Sequence, residues 1–272
     1  QKLTEQTGQS FIVDNRTGAG GNVGASAAAK TKPDGYTLML TADSVVVINP
    51  SLYKSTGFDT LKDFEAVGSV ATAGYVLVAN PAFPAKNMTE FIAQAKQQPG
   101  KINIGSAGNG TLNHLIGEML GKETGIDLVH VPYKGGGPAL NDVVGGQVPL
   151  FFGNLASTLQ HVQSGKLRAL AVTSAKRSHI LSGVPTLSEV GVKGAEIYEW
   201  NAVFVPTGTP DAVVAKIASA FQQALDAPEV KQRIAQLGGE IQRSTPEQAQ
   251  SFIEQQIALW GRVIKDRKIA VE

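Results

Sequence analysis

The chain has no cysteine, which excludes disulfides, thiolate zinc sites and cysteine nucleophiles. That absence suits an exported bacterial protein and many other kinds as well. An excess of either charge is missing too. With 24 Lys and Arg against 23 Asp and Glu, the net charge of +1 leaves no electrostatic footprint for nucleic acid or a membrane surface. No apolar run approaches the roughly 20 residues that span a bilayer. No stretch reads as a basic start followed by an apolar centre, and none is of low complexity. What remains is an ordinary globular composition, 42% apolar over 272 residues. That length predicts two domains or one large α/β unit.

The chain is organised around Lys101 to Leu120, a short apolar run, a turn containing Gly105, Gly108 and Gly110, and an amphipathic helix. Leu112, Leu115, Ile116, Met119 and Leu120 recur at the spacing of one helix face. A helix that starts after such a turn leaves its first N–H groups uncovered and is suited to an anion. The pattern recurs at Val129 to Val144, with Pro138 in the first helical turn, and at Phe11 to Lys30. Three strand, glycine-turn and helix units are therefore expected to converge on one anionic ligand.

The remaining segments read as alternating strands and helices, which predicts parallel sheets with helices on both faces and ligands outside the carboxyl ends of the strands. Phe11–Val13, Tyr36–Leu40 (as a buried parallel strand), Ala66–Val70, Tyr75–Ala79, Val148–Phe152, Leu167–Val172 and Ile197–Val205 are expected strands. Asn49 to Asp63 reads as irregular, and 89–98 and 156–164 as helices. Val214, Ile217, Phe221 and Leu225 mark one helix face, and Val230, Ile234 and Leu237 a second. Thr245-Pro246-Glu247-Gln248 is a capping box that opens a long final helix.

Nucleotide and hydrolase motifs fail on spacing. G-x-G-x-x-G counted from Gly18 or Gly108 meets Val23 or Asn113 at its last position. Gly117 and Gly121-Lys122 are one residue too close for a phosphate loop, and Glu123 stands where a hydroxyl would hold magnesium. Ser106 is not in a G-x-S-x-G elbow, and His114, His130, His161 and His179 are scattered without metal spacing. No catalytic residue, metal site or cofactor is assigned. What survives is a cavity lined by backbone donors and small residues: 16–22, 41–44, 105–111 and 133–138.

NRTGAGGNVGA (15–25), PDGYTLML (33–40), INIGSAGNGTLNHL (102–115), VPYKGGGPALNDVVGGQVPLFF (131–152) and LRALAVTSAKRS (167–178) follow one another in an order that resembles the Bug family, extracytoplasmic solute receptors of tripartite tricarboxylate transporters. The resemblance implies a two-domain periplasmic binding protein of type II, a Venus flytrap of two α/β domains, each a mainly parallel sheet flanked by helices. Domain 1 would take 1–74 and 197–272, domain 2 would take 75–196, and hinges would lie at Gly74-Tyr75 and Glu196-Ile197. It implies capture of a small organic anion between the domains, a dicarboxylate, aromatic acid or acidic amino acid, for delivery to a membrane permease. No chemistry, nucleic acid partner or membrane insertion is implied, and the location would be periplasmic. Carried onto this chain, the binding residues would be Thr41, Ala42, Asp43, Ser106, Ala107, Gly108, Gly110, Thr111, Asn113, His114, Tyr133, Lys134, Gly135, Gly136 and Asn154. Gln1 corresponds to the later part of the family's first helix. A first strand and the ligand-binding loop that follows it are therefore expected to be missing, with weak binding or none as the consequence unless another chain supplies them. A monomer is expected, with exchange or dimerisation open to a chain lacking that strand. The alternative is an enzyme acting on a small carboxylic acid at the Ser106 to His114 loop.

Overall fold

The computed structural model describes residues 1–192 and 196–267. The range 75–196 expected for the second domain thus includes three undescribed residues, and the range 197–272 ends outside the described ones. In chain order come α1 (Lys2–Thr7), α2 (Asn22–Ala29), β1 (Met39–Ala42), a π-helical stretch (Ser44–Ile48), α3 (Asn49–Leu52), α4 (Thr60–Asp63) and β2 (Phe64–Ala79). Next are α5 (Met88–Gln97), β3 (Ile102–Ser106), α6 (Leu112–Thr124), β4 (Leu128–Pro132), α7 (Gly136–Val144), β5 (Leu150–Asn154), α8 (Leu155–Gln163) and β6 (Arg168–Val172). Last are β7 (Tyr198–Pro206), α9 (Asp211–Asp226), α10 (Pro228–Gln236), β8 (Gly239–Ile241) and α11 (Pro246–Arg267). The chain divides into two units, one of Gln1–Thr72, Trp200–Gln236 and Glu240–Glu272, the other of Ala73–Glu199 with Leu237–Gly239. β2 and β7 each contribute to both.

In the second unit β4, β3 and β5 are parallel neighbours, and the end of β2 runs antiparallel between β5 and β6. This alternation follows from the sequence, since each strand feeds a helix whose apolar face returns to the sheet. Leu115, Ile116 and Leu120 of α6 and Ala139 and Val143 of α7 are buried, as are Val76, Val78 and Phe151 on the strands. α5 is capped as its sequence dictates. Asn87 accepts from the Glu90 amide at 2.9 Å, and Glu90 in turn accepts from the Lys86 amide at 2.8 Å.

In the first unit β1 pairs antiparallel with β7, and Val67, Val203, Val205 and Val214 form a core under α9. α11 opens with the expected capping box, Gln248 N donating to Thr245 Oγ1 and Thr245 N to Gln248 Oε1.

Several strand expectations need correction. Phe11–Val13 has strand composition but no ladder, and Ile12 is 89% exposed. A run of apolar residues forms a strand only where a neighbour takes up its backbone groups. Tyr36–Leu40 is not a buried parallel strand, because β1 begins at Met39, is antiparallel, and leaves Tyr36 and Leu40 exposed. The runs 66–70 and 75–79 are one continuous strand of 16 residues. Residues 44–52, valine-rich and partly read as irregular, are helical. Asp43 accepts from Ser44 N at 2.7 Å, and Val46, Val47 and Ile48 are fully buried, so burial overrides their strand preference. The segment before α2 therefore lacks the strand of the other two glycine-turn units.

Candidate functional site

In the second unit, β3 and β4 end side by side, with Ser106 in register with Pro132. The loops that follow are bonded to one another: Tyr133 N donates to Ser106 O at 3.0 Å, and Gly135 N to Ala107 O at 2.9 Å. Gly108 has a φ of 137° and a Cβ there would lie 3.1 Å from Tyr133 O, so only glycine allows the loops to approach this closely. Ser106, Ala107, Gly108, Gly110, Thr111, Asn113 and His114 from one loop, and Tyr133, Lys134, Gly135 and Gly136 from the other, are thus brought together.

Both loops lead into helices whose first N–H groups lack a side-chain cap. Thr111 is a natural cap residue for α6, yet its hydroxyl turns back to Gly108 O and Asn113 Oδ1, each at 2.6 Å, and caps nothing. Asn113 Oδ1 also accepts from Ala107 N at 3.2 Å. Gly135 precedes α7 and has no side chain to offer. The exposed Lys134 adds a cation beside that start. By contrast α8 is closed, because Asn154 Oδ1 accepts from Ala156 N at 2.9 Å. Asn154 lies at the end of β5, in register with Tyr75. Its amide Nδ2 donates to Glu199, so both ends of the side chain are engaged.

Two of the four histidines that are scattered in the sequence, His114 and His130, are brought together. β4 sets His130 in register with Ile104, two residues before Ser106, and α6 lays His114 over it. The two rings stack with centroids 3.9 Å apart and 15° between planes. His130 Nε2 lies 2.6 Å from Ser106 Oγ, which accepts from Gly108 N at 3.1 Å. His114 Nδ1 accepts from Gly110 N at 3.2 Å, so its proton is on Nε2, 3.7 Å from Glu118 Oε1. Burial, reinforced by His130, holds the His114 pKa down to about 4, and burial lowers that of His130 as well. Tyr133 donates to Asp142 Oδ2 at 2.7 Å, and burial together with that carboxylate pushes its hydroxyl up to about 12. His130, Tyr75 and Glu199 were not among the binding residues expected from the sequence, where nothing but the register of β3 and β4 links His130 to Ser106.

A Ser–His contact of this length is where nucleophilic catalysis would begin. Here Ser106 is 1% exposed and tied into the loop, and among the described residues no carboxylate is hydrogen-bonded to His130. Nor do three or more metal-ligating side chains cluster among the described residues.

In the first unit, Thr41 and Ala42 pair with Ala202 and Asn201, and Asp43 is buried as the cap of the π-helical stretch. That unit also holds a cavity of about 460 Å³ lined by Tyr53, Lys54, Phe58 and Ile257, which none of the expected residues touches.

The family model described as the tripartite tricarboxylate transporter family receptor, TctC, matches residues 1–269. BugT of Bordetella pertussis is 35% identical over 97% of this chain and 81% of its own length. The structure of the periplasmic binding protein BugD superposes with a TM-score of 0.95 at 36% identity, covering 99% of this chain and 90% of that one. That of R. palustris Rpa4515 with adipate gives 0.95 at 34% identity, with the same coverage of 99% and 90%. The α/β fold is accordingly that of the periplasmic binding proteins.

Proposed function

We propose that this chain, which belongs to the family of tripartite tricarboxylate transporter receptors, works in the periplasm, captures a small organic carboxylate and delivers it to a membrane permease without chemical change. The ligand class is a dicarboxylate, an aromatic acid or an acidic amino acid. The observation that carries this reading is the pair of uncapped helix starts, α6 and α7, on loops bonded to each other at one end of one sheet. Each helix start stabilises an anion by roughly 0.3 to 1 kcal/mol through its dipole, and each N–H directed at a carboxylate adds a charge-assisted hydrogen bond. The binding residues of this reading are, on the second unit, Ser106 to Thr111, Asn113, Tyr133 to Gly136 and Asn154, and, on the first unit taken by itself, Thr41 to Asp43. Adipate, bound by a relative, is the first probe.

The test is a thermal-shift screen at pH 7.5 with adipate, succinate, benzoate and glutamate. A ligand at about 100 times its dissociation constant stabilises the folded state by roughly 2.7 kcal/mol. Saturable stabilisation by one or more of these acids is expected. Stabilisation by none, with a response to neutral solutes instead, would overturn the carboxylate assignment. Conversion of a bound acid, abolished by Ser106→Ala, would favour the enzyme alternative that the Ser106–His130 contact raises.

A further inference from the structure

We propose that His130, acting through Ser106, and His114, acting through the Gly110 amide, are positioning residues of the carboxylate site, and that the loop they hold is set only while both rings are uncharged. This rests on the carboxylate reading above and adds what fixes the donors in place.

Beside the bonds made by the Thr111 and Asn113 side chains, two of the contacts that hold the loop from Ser106 to Thr111 involve an imidazole. The first is Gly108 N, donating at 3.1 Å to Ser106 Oγ, which is itself held 2.6 Å from His130 Nε2. The second is Gly110 N, donating at 3.2 Å to His114 Nδ1. One residue beyond Gly110 stands Thr111, whose backbone begins α6 and whose hydroxyl leaves the helix start open. Turning the Gly110 peptide would therefore turn the donors of the first helical turn.

A nitrogen that carries a proton cannot accept one. Protonating His114 at Nδ1 removes the partner of Gly110 N and leaves a buried donor unsatisfied. The stack adds a second constraint, since two charged rings 3.9 Å apart repel. The charged group facing His114 on its own helix is Glu118, about half exposed, with Oε1 3.7 Å from Nε2. Asp127, ahead of β4, acts on Glu118 and, after burial, helps raise its pKa. From β4 the facing group is His130, and from β3 the uncharged Ser106. Tyr133, at the end of β4, is bonded to Asp142 of α7. Glu118 can offset one charge on His114, whereas among the described residues no carboxylate is hydrogen-bonded to His130. Burial pushing both rings below the ordinary histidine range agrees with this arrangement.

The experiment uses the full chain labelled with ¹⁵N. Without ligand, imidazole and amide spectra are followed from pH 8 to pH 4. His114 is expected as the Nε2–H tautomer at pH 7.5, with the Gly110 amide moving with His114 on approach to pH 4 and the Gly108 amide shifting in step with His130. A proton on His114 Nδ1 at pH 7.5, or glycine amides indifferent to the rings, would overturn the proposal. In a second arm, adipate affinity at pH 7.5 is measured for His114→Phe, which keeps a stacking ring but no acceptor, and for His114→Gln, whose amide oxygen can accept from Gly110. Phe is expected to weaken binding about tenfold, and Gln to recover at least fivefold of that loss. Equal affinities for the two would contradict the positioning role. If adipate does not bind the unaltered chain, the carboxylate reading loses its probe, while the amide titration still decides whether the rings hold the loop.

Discussion

Asn154 Nδ2 donates to Glu199 Oε2 at 3.0 Å, and Tyr75 donates its hydroxyl to the same oxygen at 2.6 Å. One carboxylate oxygen thereby ties β5 to the second unit's portions of β2 and β7, in the residues next to where those two strands pass into the first unit. Tyr75→Phe removes one hydrogen bond to a charged acceptor and is expected to cost about 1.5 kcal/mol, the lower end for such bonds because Glu199 is half-buried. Urea denaturation of the two chains measures it.

Two glycines separate conformational strain from crowding. Gly125, which ends α6 at φ 68°, has nothing within 4 Å of a Cβ, so Gly125→Ala is expected to cost about 1 kcal/mol and to leave ligand affinity unchanged. Gly108→Ala meets the Tyr133 carbonyl and is expected to cost about 1 to 3 kcal/mol. It should also weaken adipate binding, because it separates the two loops. Denaturation and calorimetric titration of both variants give the comparison.

Stability should fall on mild acidification. His114 is neutral in the folded chain down to about pH 4, whereas the unfolded imidazole takes up its proton near 6.5. Between those values the unfolded chain binds more protons, so the stabilisation present above pH 6.5 is lost as pH falls and stops falling further below about 4. The loss from His114 is on the order of 3 kcal/mol, with His130 contributing in the same direction. In denaturation midpoints measured from pH 7.5 to 4, His114→Gln should flatten the decline.

At the far end of the chain, Thr245→Ala removes the hydroxyl that accepts from Gln248 N at 3.2 Å. A loss of about 1 kcal/mol is expected, the usual effect of removing such a cap. Thermal unfolding monitored by circular dichroism measures it.

Legibility in the sequence followed locality. The capping box at Thr245, the apolar face of α6 and the strand–helix alternation of the second unit depend on neighbours a few residues apart, and all are present. Phe11–Val13 and Tyr36–Leu40 misled because a strand is settled by its partner and not by its own side chains. The valines at 45–47 were assigned to no element, and they lie in a buried helical stretch although such residues otherwise favour strands. Within the candidate site the glycine turns were visible. The stacked histidines were not, because Ser106 and His130 are joined only by the parallel register of β3 and β4, with all of α6 between them in the chain.

The most direct measurement is an amide-resolved titration of the full chain with adipate at pH 7.5. Saturable shifts concentrated at Gly108 to Asn113 and Tyr133 to Gly137 are expected, since those residues form and flank the two open helix starts. Binding that left them unmoved and shifted instead the residues around the cavity near Tyr53 and Phe58, or no saturable shift with adipate, succinate, benzoate or glutamate, would contradict the assignment of α6 and α7 as a carboxylate receptor site.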